Sequence, residues 1–470
     1  MIRPAVSQDT RSAGAPATRA PSPASLQFHL LSFEGPDVYA SAGGIATRVS
    51  GLASALADGG FDTHLWFVGD PELPADERRE RLTLHRWCQW ISRYHRGGVY
   101  DGEEGKRQDC ASSLPPVVAL AIQRHLAETG GRAIVLAEEW QMAHAVVHLN
   151  WLLERAGLRD RVTILWNANN LFGFDRIDWP ALSRAATITT VSRYMRYRMW
   201  SWGVDARVVP NGLDPTAYRL PGEAAVGELR RRTAGRLVLS KVGRWDPAKR
   251  WLLAIDTVAA LKRLGHHPLL IARGGRERHG IEVKARAAER GLHLVERPLQ
   301  RGGGGGLVAA LSEHGDADII SLTSQLTPAL CRVLYRVSAA VLANSGHEPF
   351  GLVGLETMAI GGVACTGGTG EDYAEHGWNA LVLEADDPDE FVAQYRRLLS
   401  DPVAERLLRR RAMSTARRYA WPDIMQRHVT SLVHVDGPGE APPTDGYAIG
   451  VNRTAPASSP QAIRDAIILG

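Results

Sequence analysis

Short β-rich runs separated by longer helical patterns recur through most of this chain. That alternation constrains its fold more than any single residue. "LQFHLLSF" (26–33), "DTHLWFVG" (62–69), "RAIVLAEE" (132–139), "RVTILWNA" (161–168) and "AATITTVS" (185–192) read as strands. Helical patterns such as "GIATRVSGLASALADGG" lie between several of them. A second series follows: "RLVLSKVGR" (236–244), "HPLLIARGG" (267–275), "ADIISLTS" (317–324), "SAAVLANS" (338–345) and "GVACTGG" (362–368). Alternation of this kind calls for parallel sheets with crossover helices on both faces. Two series in 470 residues predict an α/β protein with two Rossmann-like doubly wound parallel-sheet domains facing a cleft. Pro, Asn and Gly in "VVPNGLDP" (208–215) mark the boundary, giving domains at 26–207 and 208–418. Residues 1–25 and 436–470, rich in Pro, Ala and Ser, are expected to be disordered tails.

Apolar residues make up 44% of the chain and charged residues 23%, as in a soluble globular protein. A net charge of +4 gives no reason to expect a nucleic-acid partner, although a local basic cluster can still hold a phosphorylated ligand. No run of some 18 apolar residues is present and the first 25 lack an apolar h-region, so neither a membrane span nor a secretory signal is expected. The expected location is cytoplasmic. Four cysteines (Cys88, Cys110, Cys331, Cys365) are scattered with no close pair. They predict reduced buried thiols, neither a zinc site nor a disulfide framework.

In doubly wound sheets, ligands sit beyond the carboxyl ends of the strands. Five polar or glycine-rich groups fall at strand exits here: "SAGGIATR", "EEW", "NANN", "GRWDPAKR" and "GHEPFG". The last opens "GHEPFGLVGLETMAIGG", in which Glu348 and Glu356 stand eight positions apart. Spacing alone is uninformative, since Glu72 and Glu80 share it in the polar, loop-like "ELPADERRE". The residues between carry the signal. Gly351 permits close backbone approach, Leu352, Leu355, Met358 and Ala359 recur at helical spacing, and Gly361-Gly362 suits a helix end. A helix N-terminus of this kind offers free N–H groups to an anion, flanked by two carboxylates for hydroxyls. A nucleotide sugar is such a molecule. Arg244 and Lys249, five apart across the Asp246-Pro247 turn, supply the counter-charge. "SAGGI" (41–45) resembles a phosphate-approach loop but lacks the dinucleotide and P-loop patterns. The "GGGGG" run (302–306) reads as a connector.

These residues resemble a known family. "SAGGIATRVSGLASAL", "TITTVSRYM", "VVPNGLD", "VGRWDPAKRW" and "HEPFGLVGLETMAIGGVACTGGTGEDY" are similar to retaining nucleotide-sugar glycosyltransferases of GT-B architecture, in the broad family-4 and glycogen-synthase-like group. The likeness covers roughly residues 30 to 430, and its most specific element is the E-x7-E block. It implies that Arg244 and Lys249 neutralise the leaving diphosphate. Glu348 would hold donor-sugar hydroxyls with the backbone of Phe350, Gly351 and Leu352, and Glu356 would bind the ribose diol. Gly43 and Gly44 would bring the N-terminal domain onto the donor, with Glu139 near the sugar. Relatives usually carry a histidine after the fourth strand, where this chain has Asn167 or Asn169. "YAWPDIMQRHVTSLV" (419–433) resembles the segment that crosses back onto the N-terminal domain, which extends the crossover to 419–435. The resemblance implies a nucleotide diphosphate sugar as co-substrate, with no cofactor or metal, and a carbohydrate or glycosylated acceptor. Aromatic residues in 85–109 are candidates to stack on that acceptor. The basic stretch 406–418 is a candidate for peripheral contact with anionic lipid, weighed against a solvated helix face. Other readings are a non-catalytic nucleotide-sugar binder, a phosphorylase or an epimerase.

Overall fold

The computed structural model describes residues 25–299, 304–312 and 315–429. The sequence expectations for residues 1–24, for Gly302–Gly303 and for residues 430–470 lie outside these. The first sheet contains β1 (Leu26–Leu31), β2 (Asp62–Val68), β3 (Asp76–Arg79), β4 (Leu82–Trp87), β5 (Arg132–Glu138), β6 (Val162–Ala168), β7 (Thr187–Thr190) and β8 (Arg207–Val208), in the order β3-β4-β2-β1-β5-β6-β7-β8. The second contains β9 (Leu237–Val242), β10 (Pro268–Arg273), β11 (Leu294–Arg297), β12 (Ile319–Leu322), β13 (Ala340–Ala343), β14 (Ala364–Thr366) and β15 (Leu381–Val382), ordered β11-β12-β10-β9-β13-β14-β15. All ten strand runs read from the sequence are present.

Register places β1 between two apolar neighbours, with Leu30 opposite Leu65 on one side and Leu136 on the other. Helix Gly44–Asp58 covers one face, packing Leu52 and Leu56 against Phe28, Leu30 and Phe67. Helices Glu103–Thr129 and Ala143–Arg155 cover the opposite face through Leu114, Val118, Val146 and Leu149, against Val135 and Ile164. Two-faced burial is why these strands read as continuous apolar runs.

Two expectations need correction, while the cysteines are free as expected. "ELPADERRE" is not a loop throughout, because Asp76–Arg79 forms β3, antiparallel to β4 at the sheet edge. Charged edge strands discourage further pairing, so this one carries no apolar alternation to read. The glycine run is not wholly a connector, since Gly304 opens a helix that continues to Ser312. The thiols of Cys88 and Cys110, 22 positions apart in the chain, lie 3.4 Å apart in the core.

After the second sheet, Trp421–Ile424 forms a short helix. Trp421 and Ile424 join the core formed by β1, β2 and helix Gly44–Asp58. A Cβ on Gly51 would stand 2.3 Å from the Trp421 indole nitrogen, and one on Gly212 would stand 2.4 Å from its ring. Only glycine admits the indole at both places.

Candidate active site

In each sheet the chain starts in the interior and winds outward first to one edge and then to the other. β1 and β5 flank the switch in winding direction in the first sheet, and β9 and β13 flank it in the second. A crevice opens at such points beyond the strand ends. Four of the five groups singled out in the sequence leave these four strands, and the fifth leaves β6.

In the C-terminal half, Asp246 caps the turn after β9 by accepting from the Ala248 amide at 2.8 Å. That turn delivers Lys249, whose Nζ donates to Glu348 Oε2. Ser345 Oγ donates to the same oxygen at 2.8 Å, and the Glu348 amide donates to Thr369 Oγ1 at 2.9 Å. Lys249 and Glu348 therefore meet as a self-neutralising pair. Arg244 stands apart, its side chain 67% exposed and its guanidinium 3.7 Å from the Asp246 carboxylate. The backbone bends at Gly351, with φ +76°, and the helix Leu352–Ala359 begins with no side-chain cap. A Cβ on Gly351 would meet Glu371 Cγ at 2.8 Å, so both conformation and space require glycine there. Phe350 is buried against Tyr373 and Tyr419, leaving only its backbone for a ligand. Glu356 is half-buried on the helix, and burial pushes its carboxyl up to about 7.

In the N-terminal half, Glu139 follows β5 with φ 71° and ψ 167°, a region that non-glycine residues rarely enter. Its carboxylate accepts from the Asn169 amide at 2.7 Å. Burial, then the charges of Glu138 and Glu34, push it up to about 8 despite the opposing Asn169 bonds. Asn167 and Asn169 separate clearly. Asn167 is buried within β6, where it donates to Glu138 and accepts from Thr189. Asn169 lies just past the strand end, half-buried, and also donates to Glu138 at 2.8 Å.

Three of the amides before and within the first helical turn are taken by a side chain of the protein itself, contrary to the reading of "SAGGI" as a phosphate-approach loop. Ala42, Gly43 and Ala46 donate to Glu34 Oε2 at 3.2, 3.0 and 3.2 Å. A buried carboxylate thus already occupies the anion position at this helix N-terminus. Glu34 also accepts from the Tyr100 hydroxyl at 2.6 Å. Sequence reasoning missed Glu34, though an acid directly after an apolar strand was a usable signal for it, and it offered Tyr100 only among the aromatic residues of 85–109 as an acceptor-stacking candidate.

The two halves touch at this level. A Cβ on Gly44 would be 3.9 Å from the Leu352 side chain. Arg193 donates through its amide and Nε to Asp372 at 2.8 and 3.2 Å, and Tyr194 faces His347 with ring centroids 6.4 Å apart. In the N-terminal half, Trp90, Tyr94, His95, Gln108 and Asp109 line a groove of about 540 Å³. In the basic stretch 406–418, Arg411 stacks 3.4 Å over Trp378 and Arg409 donates to Gly361 O and Glu405. Among the described residues, no three or more His, Cys, Asp or Glu side chains are grouped to hold a metal ion. None of the described helices is long and apolar enough to cross a membrane.

Comparison with known proteins places this geometry. The model for Glycosyltransferase Family 4 matches residues 42–217, and that for Glycosyl transferases group 1 matches residues 236–401. A D-inositol 3-phosphate glycosyltransferase of Acidothermus cellulolyticus is 29% identical over 226 residues, which are 47% of this chain and 46% of that protein. The chain thus aligns with under half the length of that curated relative. Among solved structures, the catalytic domain of starch synthase IV from Arabidopsis thaliana, bound to ADP and acarbose, superposes with a TM-score of 0.62 at 15% identity. The superposition covers 87% of this chain and 99% of that one. The Anabaena protein HepE, in complex with UDP and glucose, superposes with a TM-score of 0.55 at 15% identity, covering 87% and 99%. Two parallel sheets with crevices at facing switch points, together with the two family matches, show that the chain belongs to the group 1 glycosyltransferases of GT-B fold.

Proposed function

We propose that this protein transfers a sugar, with retention of configuration, from a nucleotide diphosphate sugar to a hydroxyl of a carbohydrate or glycosylated acceptor. The Lys249–Glu348 pair at the β9/β13 switch point is the observation that carries this reading. A diphosphate draws Lys249 toward itself and frees Glu348 to accept from sugar hydroxyls. Arg244, exposed on the same turn, closes on the phosphates. Breakage of the anomeric carbon–oxygen bond leaves charge on the diphosphate, which the two cations and the uncapped helix terminus at Leu352 stabilise. Glu356 takes the ribose diol. No divalent ion is needed in this scheme.

Glu139, held protonated to about 8, is a poor nucleophile at neutral pH. That favours attack on the same face, with the departing phosphate accepting the acceptor's proton. Asn169, past the end of β6, takes the place where relatives carry a histidine. The Trp90–Tyr94 groove, with Gln108 and Asp109 as hydrogen-bonding partners, is suited to stack a sugar ring of the acceptor. The donors and acceptors in the names of the relatives, including UDP with glucose, support the substrate class without fixing the sugar.

A screen of nucleotide diphosphate sugars, read by thermal shift, hydrolysis and the anomeric configuration of the product, tests this reading. Replacing Arg244 or Lys249 by Ala is expected to lower turnover by about 10²–10³-fold. Near-normal turnover of both variants with every accepted donor, or an inverted product, would overturn it.

A further inference from the structure

Directly beneath this site lies a lysine with no part in the scheme above. Lys241 is the penultimate residue of β9 and only 3% exposed. Its Nζ donates to the Leu342 carbonyl at 2.8 Å and to Asn344 Oδ1 at 3.1 Å, within and just after β13. The Trp251 ring lies 5.5 Å away, and the Trp251 indole nitrogen donates to the Arg244 carbonyl at 2.7 Å. The charged and titratable groups around Lys241 are Lys249 and Arg250 on the turn after β9, Glu348 after β13, and Cys365 in β14. Glu348 is already paired with Lys249 and Arg250 with Asp386, while Lys241 forms no ion pair among the described residues.

Two acceptors match the two N–H groups of a neutral amine, whereas an ammonium has a third to satisfy. Burial, followed by the charge of Lys249, brings the Lys241 ammonium down to about 7. A buried cation without a carboxylate partner is costly, and a polyanion settling close above it removes that cost.

We propose that Lys241 is a proton-accepting counter-charge for the donor's diphosphate, neutral in the free protein in mildly alkaline solution and protonated from solvent when the diphosphate binds at Arg244 and Lys249. The proposal rests on the reading of that site as the diphosphate position. Lys241 acts as a positioning residue. Its ammonium draws negative charge toward the β9 and β13 exits and touches no reacting atom. Because the bound state then holds one proton more than the free state, diphosphate affinity falls as pH rises above about 7.

The test is calorimetric titration of the full chain with UDP, ADP and GDP at about pH 8, in two buffers of different ionisation enthalpy. The difference in heat gives the number of protons taken up. Wild type is expected to take up most of one proton, with affinity dropping by up to about tenfold per pH unit above pH 7. Lys241→Arg, charged throughout, and Lys241→Met, never charged, are expected to bind without that uptake and without that pH dependence. Binding by wild type with no uptake, or equal uptake by Lys241→Arg, would overturn the proposal. The wild-type titration decides the matter even where a variant fails to fold. If none of the three diphosphates binds, or if Lys249→Ala leaves binding unchanged, the diphosphate reading of the site falls, and this inference with it.

Discussion

Glu139 and Glu371 show how much a single side chain can carry. Glu139 sits in a backbone region costing ~1–3 kcal/mol for a non-glycine residue, and its neighbours hold it there. The Trp166 indole and the Met142 amide both donate to its carbonyl. Glu371 is buried with Oε1 unpartnered, and burial, then Glu348, push its carboxyl up to about 8. The unfolded chain releases this proton near 4.5, whereas the folded chain keeps it to about 8. Between these values the folded state binds more protons, so this group's contribution to stability falls as pH rises. Glu371→Gln should therefore gain stability relative to wild type from pH 5 to 8, by up to ~1 kcal/mol per pH unit. Paired thermal denaturation across that range checks the sign. Lys249 and Glu348 were legible because they sit at strand exits. Lys241 was not, because one lysine in an apolar strand does not reveal which carbonyls it will meet.

Among the elements, the glycine turn and helix at Gly351–Ala359 were the most legible. The Gly362 amide donates to the Thr357 carbonyl and the Gly361 amide to the Met358 carbonyl, closing the helix as its Gly-Gly end predicts. Short polar elements were not legible: β3 has no apolar face, and β4 is read only once β2 lies beside it. The Glu103–Thr129 helix brings Cys110 against Cys88 at the end of β4. Hydrogen bonding to Cys110, then burial, push the Cys88 thiol far up. Thiolate is the reactive form. Iodoacetamide should thus leave Cys88 unmodified in the folded protein, and burial should shield Cys110 from the reagent; both should be labelled after denaturation, as peptide mass spectrometry would show.

Across the whole molecule, one buried knot joins four distant segments. Arg48 of the first helix donates to Glu138 at 2.9 Å and to Asn211 at 2.7 Å, with its guanidinium 5.6 Å from the Trp421 ring. Removing one partner of such a pair leaves the other charge buried, at a cost of about 3–5 kcal/mol. Arg48→Met is expected to lose that much stability in denaturant unfolding, and to loosen the Trp421 segment as read by hydrogen exchange. Hydrophobic periodicity within the chain determined the two α/β halves, their strands, and the groups placed at strand exits. It does so because burial on both faces of a parallel sheet is written into contiguous residues. Only the tertiary structure decided which exits face each other, that Glu34 takes the amides of Ala42, Gly43 and Ala46 at the start of the first helix, and that Lys241, Cys88 and Arg48 have the neighbours they do. Those outcomes depend on contacts between residues tens to hundreds of positions apart. Strand order and domain packing set such contacts, and local sequence does not record them.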